Sequence, residues 1–243
     1  MIRRALIIYC DNTQSGELTG AIADNKNYQE FLQTKLGGEW HDNEIESLRN
    51  PTAIRIKQKI NNFLNGADYT FIIFSGHGFT AIENDAQYLE VSGGDIVLYD
   101  LKTNARRQTV ILDACRGFDS VNNELLKSLD ETAFIGTISS TRQLFDRAVL
   151  SAEAGWSILF SADVDESAVD TPEGGGYLFS LIKAAEIWSE TDSRQLILPL
   201  NSVHLYATTY LNTHFYTTQN PVMLKERRRN YFPFAVKFVN ITG

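Results

Sequence analysis

The chain has 243 residues, 43% of them hydrophobic and 11% aromatic, enough to bury one substantial core in one domain or two tightly joined halves. A net charge of −8 and a pI near 5.0 argue against nucleic acid as a main partner, since phosphate binding needs clustered Lys and Arg. The one basic run, KERRR at Lys225–Arg229, precedes an apolar segment and reads as a solvated turn before an interaction patch. The start, MIRRALIIYC, is too briefly apolar for a secretory signal, and no stretch approaches the roughly 20 apolar residues of a membrane span. A cytoplasmic chain without a membrane partner is expected. Two cysteines, Cys10 and Cys115, cannot build a disulfide framework.

Taken in chain order, Ala5–Cys10 reads as a buried strand, with Cys10 in its core face. Tyr28, Phe31, Leu32 and Leu36 give an apolar stripe to a helix over Ile22–Leu36, which Gly37 and Gly38 stop. Glu44–Leu48 is a short strand. Asn50 and Pro51 suggest an N-cap and a first-turn proline for a helix carrying Ile56, Ile60, Phe63 and Leu64. Thr70–Ser75 is a continuous apolar strand that ends at Gly76-His77-Gly78. Tyr88–Val91 and Ile96–Tyr99 suggest a hairpin around Ser92–Asp95. Thr109–Leu112 is another apolar strand, ending at Asp113-Ala114-Cys115. Residues 118–156 form a polar linker without clear periodicity, apart from a strand candidate at Ala133–Ile138. Ser157–Ala162 reads as a strand, Thr171–Gly176 as a flexible loop, and helices should begin near Tyr177 and cover Val203–Phe215. Tyr231–Val239 closes the chain as a last strand.

Strands alternating with amphipathic helices imply an α/β fold: a mostly parallel central sheet covered on both faces. Ligands of such sheets bind beyond the carboxyl ends of the strands. His77 and Cys115 each lie just past such an end, on the same edge. A cysteine thiolate attacks carbonyls, and a histidine beside it can take the thiol proton and pass it to the leaving amine. Glycines around His77, and Gly117 after Cys115, allow sharp turns and close approach to a substrate. The amides of Cys115 and of Gly76 or Gly78 are natural oxyanion donors. Alone, His77 would read as a satisfied structural histidine and Cys115 as a buried inert thiol. Their matched settings favour a catalytic pair. His41, His204 and His214 lack such settings and read as structural or surface groups. No G-x-S-x-G elbow or P-loop supports a serine hydrolase or a nucleotide-binding protein.

The run DACRG at Asp113–Gly117 resembles the caspase signature Q-A-C-R-G, with Asp in the first position and the histidine upstream. SGHG at Ser75–Gly78 together with D-x-C is closer to the metacaspases, including the bacterial orthocaspases. LTGAIADNKNYQEFL at Leu18–Leu32 resembles their early G-x-x-N-D-A segment, with Asp24 matching its aspartate. ILFSADVDESAVD and GGGYLFSLI resemble their small-subunit half. The resemblance implies a single caspase-like domain over 1–243, with 1–117 large-subunit-like, 118–156 a linker and 157–243 small-subunit-like. It implies a cysteine endopeptidase with Cys115 and His77 as the dyad, Gly78 and Cys115 as oxyanion donors, and protein or peptide substrates.

Caspases place a glutamine at the position of Asp113, within a basic pocket that accepts aspartate. The acidic residue here reverses that preference: Asp113, Asp24 and Ser75 are implied to line a pocket for Arg or Lys. The metacaspase D-x-C-H-S-G is here D-A-C-R-G-F, with Arg116 in place of the histidine. The resemblance requires no cofactor and no metal site, and leaves calcium activation open. Glu83, Asp85, Asp95 and Asp100 follow the histidine without a recognisable loop spacing. Self-cleavage is expected in the linker, after Lys127, Arg142 or Arg147. Two other readings share the fold: a CHAT- or legumain-type peptidase of another specificity, and a non-catalytic interaction module. Monomer and homodimer are equally open.

Overall fold

The structure, a computed structural model, describes residues 1–81, 86–116, 140–224 and 229–238. Its centre is a six-stranded sheet whose strands are β1 (Arg3–Tyr9), β2 (Ile45–Arg49), β3 (Tyr69–Ser75), β4 (Arg107–Asp113), β5 (Gly155–Phe160) and β6 (Val222–Leu224). They lie in the order β6-β5-β4-β3-β1-β2. All neighbours are parallel except β5 and β6. The apolar runs of β1, β3 and β4 are buried on both faces, as strands inside a covered parallel sheet must be.

The two-residue period of a strand divides these side chains between two cores. Ile7, Phe71, Ile73 and Ile111 pack on one face beneath helices α1 (Gly20–Gln33), α3 (Thr141–Ser151), α4 (Gly176–Glu190) and α5 (Leu200–His214). Leu6, Ile8, Ile72, Phe74, Val110 and Leu112 face the other way. There they meet Ile56 and Ile60 of α2 (Ala53–Asn62) and Leu89, Val91 and Ile96 of a three-stranded antiparallel unit. That unit consists of Gly78–Ala81, Ala86–Val91 and Gly94–Val97.

Several local expectations change. The cap of α2 is Thr52, whose side chain accepts from the Arg55 amide at 3.3 Å, while Asn50 turns the chain with φ of 43°. The segment expected as a closing strand shrinks to Pro233–Val236. It pairs antiparallel with Ile197–Pro199 in a separate ribbon rather than in the central sheet. The sixth central strand is instead β6, too short to carry a periodic signal. The candidate strand at Ala133–Ile138 and residues Lys225–Arg228 of the basic run lie outside the described residues.

The carboxyl part of the expected linker is helical, and it is fastened to the first half of the chain. In α3, Leu144, Phe145, Ala148 and Val149 are buried. Thr141 Oγ1 donates to Glu39 Oε2 at 2.5 Å, and Arg142 pairs with Glu44 at 2.6 Å. The fully buried Arg3 completes this network. Its guanidinium reaches Asp146 Oδ1 at 3.1 Å and the carbonyls of Gly38 and Glu39 at 2.5 and 2.9 Å, and lies 4.5 Å over the Trp40 ring. Burial pulls its pKa down to about 10 against the pull of Asp146 and Glu44. Arg142 and Arg147 therefore sit on a packed helix and not in an open connection.

Candidate active site

The register of β3 with β4 sets the site. Ser75 lies opposite Asp113, and the Gly76 amide donates to the Asp113 carbonyl at 3.1 Å, continuing the pairing one residue past the strand. His77 and Cys115 each follow two residues after that matched pair, so both loops leave the same sheet edge side by side. A Cβ on Gly78 would come within 3.0 Å of Ala114 Cβ, which measures how closely the two loops approach. His77 is half-buried, and its Nε2 has no hydrogen-bond partner among the described residues. Cys115 is also half-buried.

The backbone pairing bears on the two amides expected as oxyanion donors. The Glu90 amide bonds to the His77 carbonyl at 3.0 Å, and bonded pairs alternate along an antiparallel ladder. Gly78, opposite Leu89, therefore falls at an unbonded position with its amide turned away from that ladder. The amides flanking Cys115 are engaged: Ala114 donates to Ser161 Oγ at 3.2 Å and Arg116 to the Glu166 carbonyl at 3.0 Å. The Cys115 amide lies between them, on the loop that faces Gly78.

The sequence-predicted acidic residues also converge. Two-residue periodicity puts Ser75 and Asp113 on the face covered by α1 and α4, and Asp24 projects from α1 to meet them. Ser75 Oγ donates to Asp24 Oδ2 at 2.6 Å, and the Gly175 amide donates to Asp24 Oδ1 at 2.9 Å. Asp113 Oδ2 accepts from the Leu178 amide at 3.4 Å, beside the Ser161 hydroxyl. Burial raises the Asp113 carboxyl to about 7 against those bonds, with the charge of Asp170 adding to the rise. The Asp24 carboxyl is likewise raised, first by burial and then by the charge of Asp113. With 1% and 5% exposure, Asp24 and Asp113 form the inner wall of the acidic group.

Thr171–Gly176, expected as a flexible loop, is part of that wall. Asp170–Thr171 and Gly174–Gly175 make a small antiparallel ribbon. A Cβ on Gly175 would lie 2.0 Å from Asp113 Oδ2, and one on Gly174 would lie 2.4 Å from Asp24 Oδ1. Glycine is required because the backbone must lie directly on the carboxylates. The same ribbon carries Asp170, which sequence reasoning missed. Asp170 is the solvent-facing acid of the group; the Gly20 amide at the start of α1 donates to it at 3.4 Å, and it feels the charge of His77. Its signal was present as an acid just before the glycine run, but only the ribbon brings it to Asp24 and Asp113.

Of the remaining candidates, Cys10 is buried in the sheet, and burial pushes its thiol up to about 12. His204 bonds the Tyr177 hydroxyl at 2.7 Å, and His214 stacks on Tyr210. The acids considered for calcium disperse. Asp100 pairs with Lys57 at 3.1 Å, Asp95 stands near Glu90, and Glu83 and Asp85 lie outside the described residues. Among the described residues, no group of three or more His, Cys, Asp or Glu side chains is placed to hold a metal ion, and no helix is long and apolar enough to cross a membrane.

Comparison with known proteins bears on this geometry. The sequence profile described as Caspase domain matches residues 2–232. The chain belongs to the caspase-domain family. That family consists of cysteine peptidases, hydrolases that act on proteins. No relative emerges among curated proteins. Among solved structures, caspase-1 from Spodoptera frugiperda is similar with a TM-score of 0.59 and 14% identity. The match covers 91% of this chain and 85% of that one, and it establishes the caspase-like fold. In this caspase-domain protein, the sheet edge carrying His77 and Cys115 is also where the acidic group is assembled.

Proposed function

We propose that the protein is a cysteine endopeptidase of metacaspase type that cleaves peptide bonds after Arg or Lys, with Cys115 as nucleophile and His77 as its base. The observation that carries this reading is the pairing of Ser75 with Asp113, extended by the Gly76 bond, which brings the His77 and Cys115 loops together beside an acidic group. In the reaction, the Cys115 sulfur attacks the scissile carbonyl while the thiol proton passes to His77. The amides of Gly78 and Cys115 receive the developing oxyanion. His77 then protonates the leaving amine, and water hydrolyses the thioester to regenerate the thiol. No cofactor takes part.

The specificity follows from charge. Asp170 faces solvent, and the nearby Asp113 and Asp24 are buried against Gly175 and Gly174. A guanidinium or ammonium relieves repulsion among these carboxylates, whereas an aspartate side chain would add a negative charge in a desolvated setting. An uncompensated buried charge costs roughly 3–5 kcal/mol, more than a hundredfold in selectivity. The planar fork of Arg can bond two carboxylates at once, which favours it over Lys.

The test is kcat/KM for matched peptides ending in Arg, Lys, Asp and Leu, measured on wild-type protein and on Cys115→Ala. Cleavage after Arg and Lys that disappears with Cys115→Ala is the expected result. Turnover by folded Cys115→Ala protein would remove the nucleophile assignment. Indifference among the four peptides would remove the specificity.

A further inference from the structure

The strand Ala86–Val91 alternates buried and half-buried residues, and its buried positions are Gln87, Leu89 and Val91. Leu89 and Val91 belong to the core beneath the sheet. Gln87 is an amide in a row that otherwise calls for apolar side chains, at the end of the strand nearest Cys115, and it is only 6% exposed. A buried primary amide requires partners and an explanation.

Its partners come from both loops of the site. Gln87 Nε2 donates to the Cys115 carbonyl at 3.2 Å and to the Tyr88 carbonyl at 3.1 Å. Gln87 Oε1 accepts from Arg116 Nε at 3.2 Å and from Thr80 Oγ1 at 3.2 Å. A Cβ on Gly78 would stand 3.1 Å from Gln87 Nε2. The amide is thus wedged between the glycine that follows His77 and the backbone of the nucleophile. Arg116 is fixed in turn: its guanidinium lies 4.0 Å over the Phe160 ring, and its backbone bridges to Glu166.

We infer that Gln87 is a positioning residue, setting the separation of the Gly78 and Cys115 amides so that both point at one oxyanion. The inference rests on the peptidase reading above. The role needs a side chain that donates to the Cys115 carbonyl while accepting from Arg116, which an amide satisfies and neither a carboxylate nor a hydrocarbon can. An oxyanion hole acts through preorganised donors, so a loosened pair loses rate even though both amides remain present. Gln87 touches no reacting atom.

The experiment compares wild-type protein with Gln87→Met, and with Gln87→Glu should Gln87→Met fail to fold. Three readouts separate positioning from bulk stability: peptide kcat and KM, affinity for a peptide aldehyde ending in Arg, and alkylation of Cys115 by iodoacetamide. The aldehyde adduct carries an oxyanion, whereas alkylation generates none. The expected result is a loss of kcat by about 10- to 100-fold, below the 10²–10³-fold of deleting a donor outright. KM should hold, aldehyde affinity should fall in parallel with kcat, and the alkylation rate should stay at the wild-type value. A folded variant that cleaves within about threefold of wild type overturns the inference. So does a variant in which alkylation falls together with cleavage, since Gln87 would then support the thiol and not the oxyanion donors. Wild-type protein that neither cleaves peptides nor binds the aldehyde overturns the peptidase reading, and this inference with it.

Discussion

Replacing Asp113 with Asn should stabilise the protein at neutral and alkaline pH while impairing cleavage after Arg. The Asp113 carboxyl titrates near 3.8 when free and at about 7 in the fold, chiefly because it is buried. The folded state therefore binds the proton more tightly than the unfolded chain. Stability is undiminished below pH 4, falls as the pH rises through the interval, and reaches its full penalty above pH 7. At ~1.4 kcal/mol per pH unit the interval corresponds to at most ~4 kcal/mol. Asp24, raised first by burial and then by the Asp113 charge, titrates together with Asp113, so the figure belongs to the pair and is on the order of 2–4 kcal/mol. Asn keeps the shape and can still accept from the Leu178 amide, but it carries no charge to desolvate. Thermal unfolding of wild-type and Asp113→Asn protein between pH 4 and pH 9 measures the difference. The two should melt together near pH 4 and separate by roughly 5–15 °C at pH 8, with the variant higher. A variant that melts lower at pH 8, or a separation that does not change with pH, would refute the assignment of a raised Asp113 carboxyl.

Gly175→Ala should cost about 1–3 kcal/mol and lower cleavage after Arg, because the new methyl would meet Asp113 Oδ2 at 2.0 Å on a backbone of ordinary φ; an unchanged melting temperature would contradict this contact. Arg3→Met should cost about 3–5 kcal/mol in urea unfolding, since Asp146 and the Gly38 and Glu39 carbonyls lose their donor. Arg3→Lys should not restore the loss, for an ammonium lacks the fork and the stacking on Trp40. Any Cys115-dependent self-cleavage should follow Lys127, since Arg142 and Arg147 are held on α3; mass spectrometry that finds cuts after Arg142 would mean that this helix opens.

Much of this protein is legible in the linear chain, for reasons that are local. The runs Ala5–Cys10, Thr70–Ser75 and Thr109–Leu112 announce buried strands because strands covered on both faces must be apolar throughout, and each matches a central strand to within two residues at either end. The positions of His77 and Cys115, two residues past the ends of two such strands, follow from counting along the chain. The convergence of Asp24, Ser75 and Asp113 could be expected from resemblance, and strand periodicity accounts for two of the three. What depends on residues far apart escaped. Gly174 and Gly175 read as a flexible stretch, because nothing in TPEGGG states that its backbone will rest on two buried carboxylates more than 50 residues away. Asp170 and Gln87 look like ordinary surface residues until the ribbon and the antiparallel unit carry them to the sheet edge. Helix α3 was hidden because its fastening is to Glu39, Glu44 and Arg3, about a hundred or more residues earlier. Chemistry-bearing side chains are chosen by their own identity and can be read one at a time. Their spacing, desolvation and partners are properties of pairs that only the folded chain brings into contact.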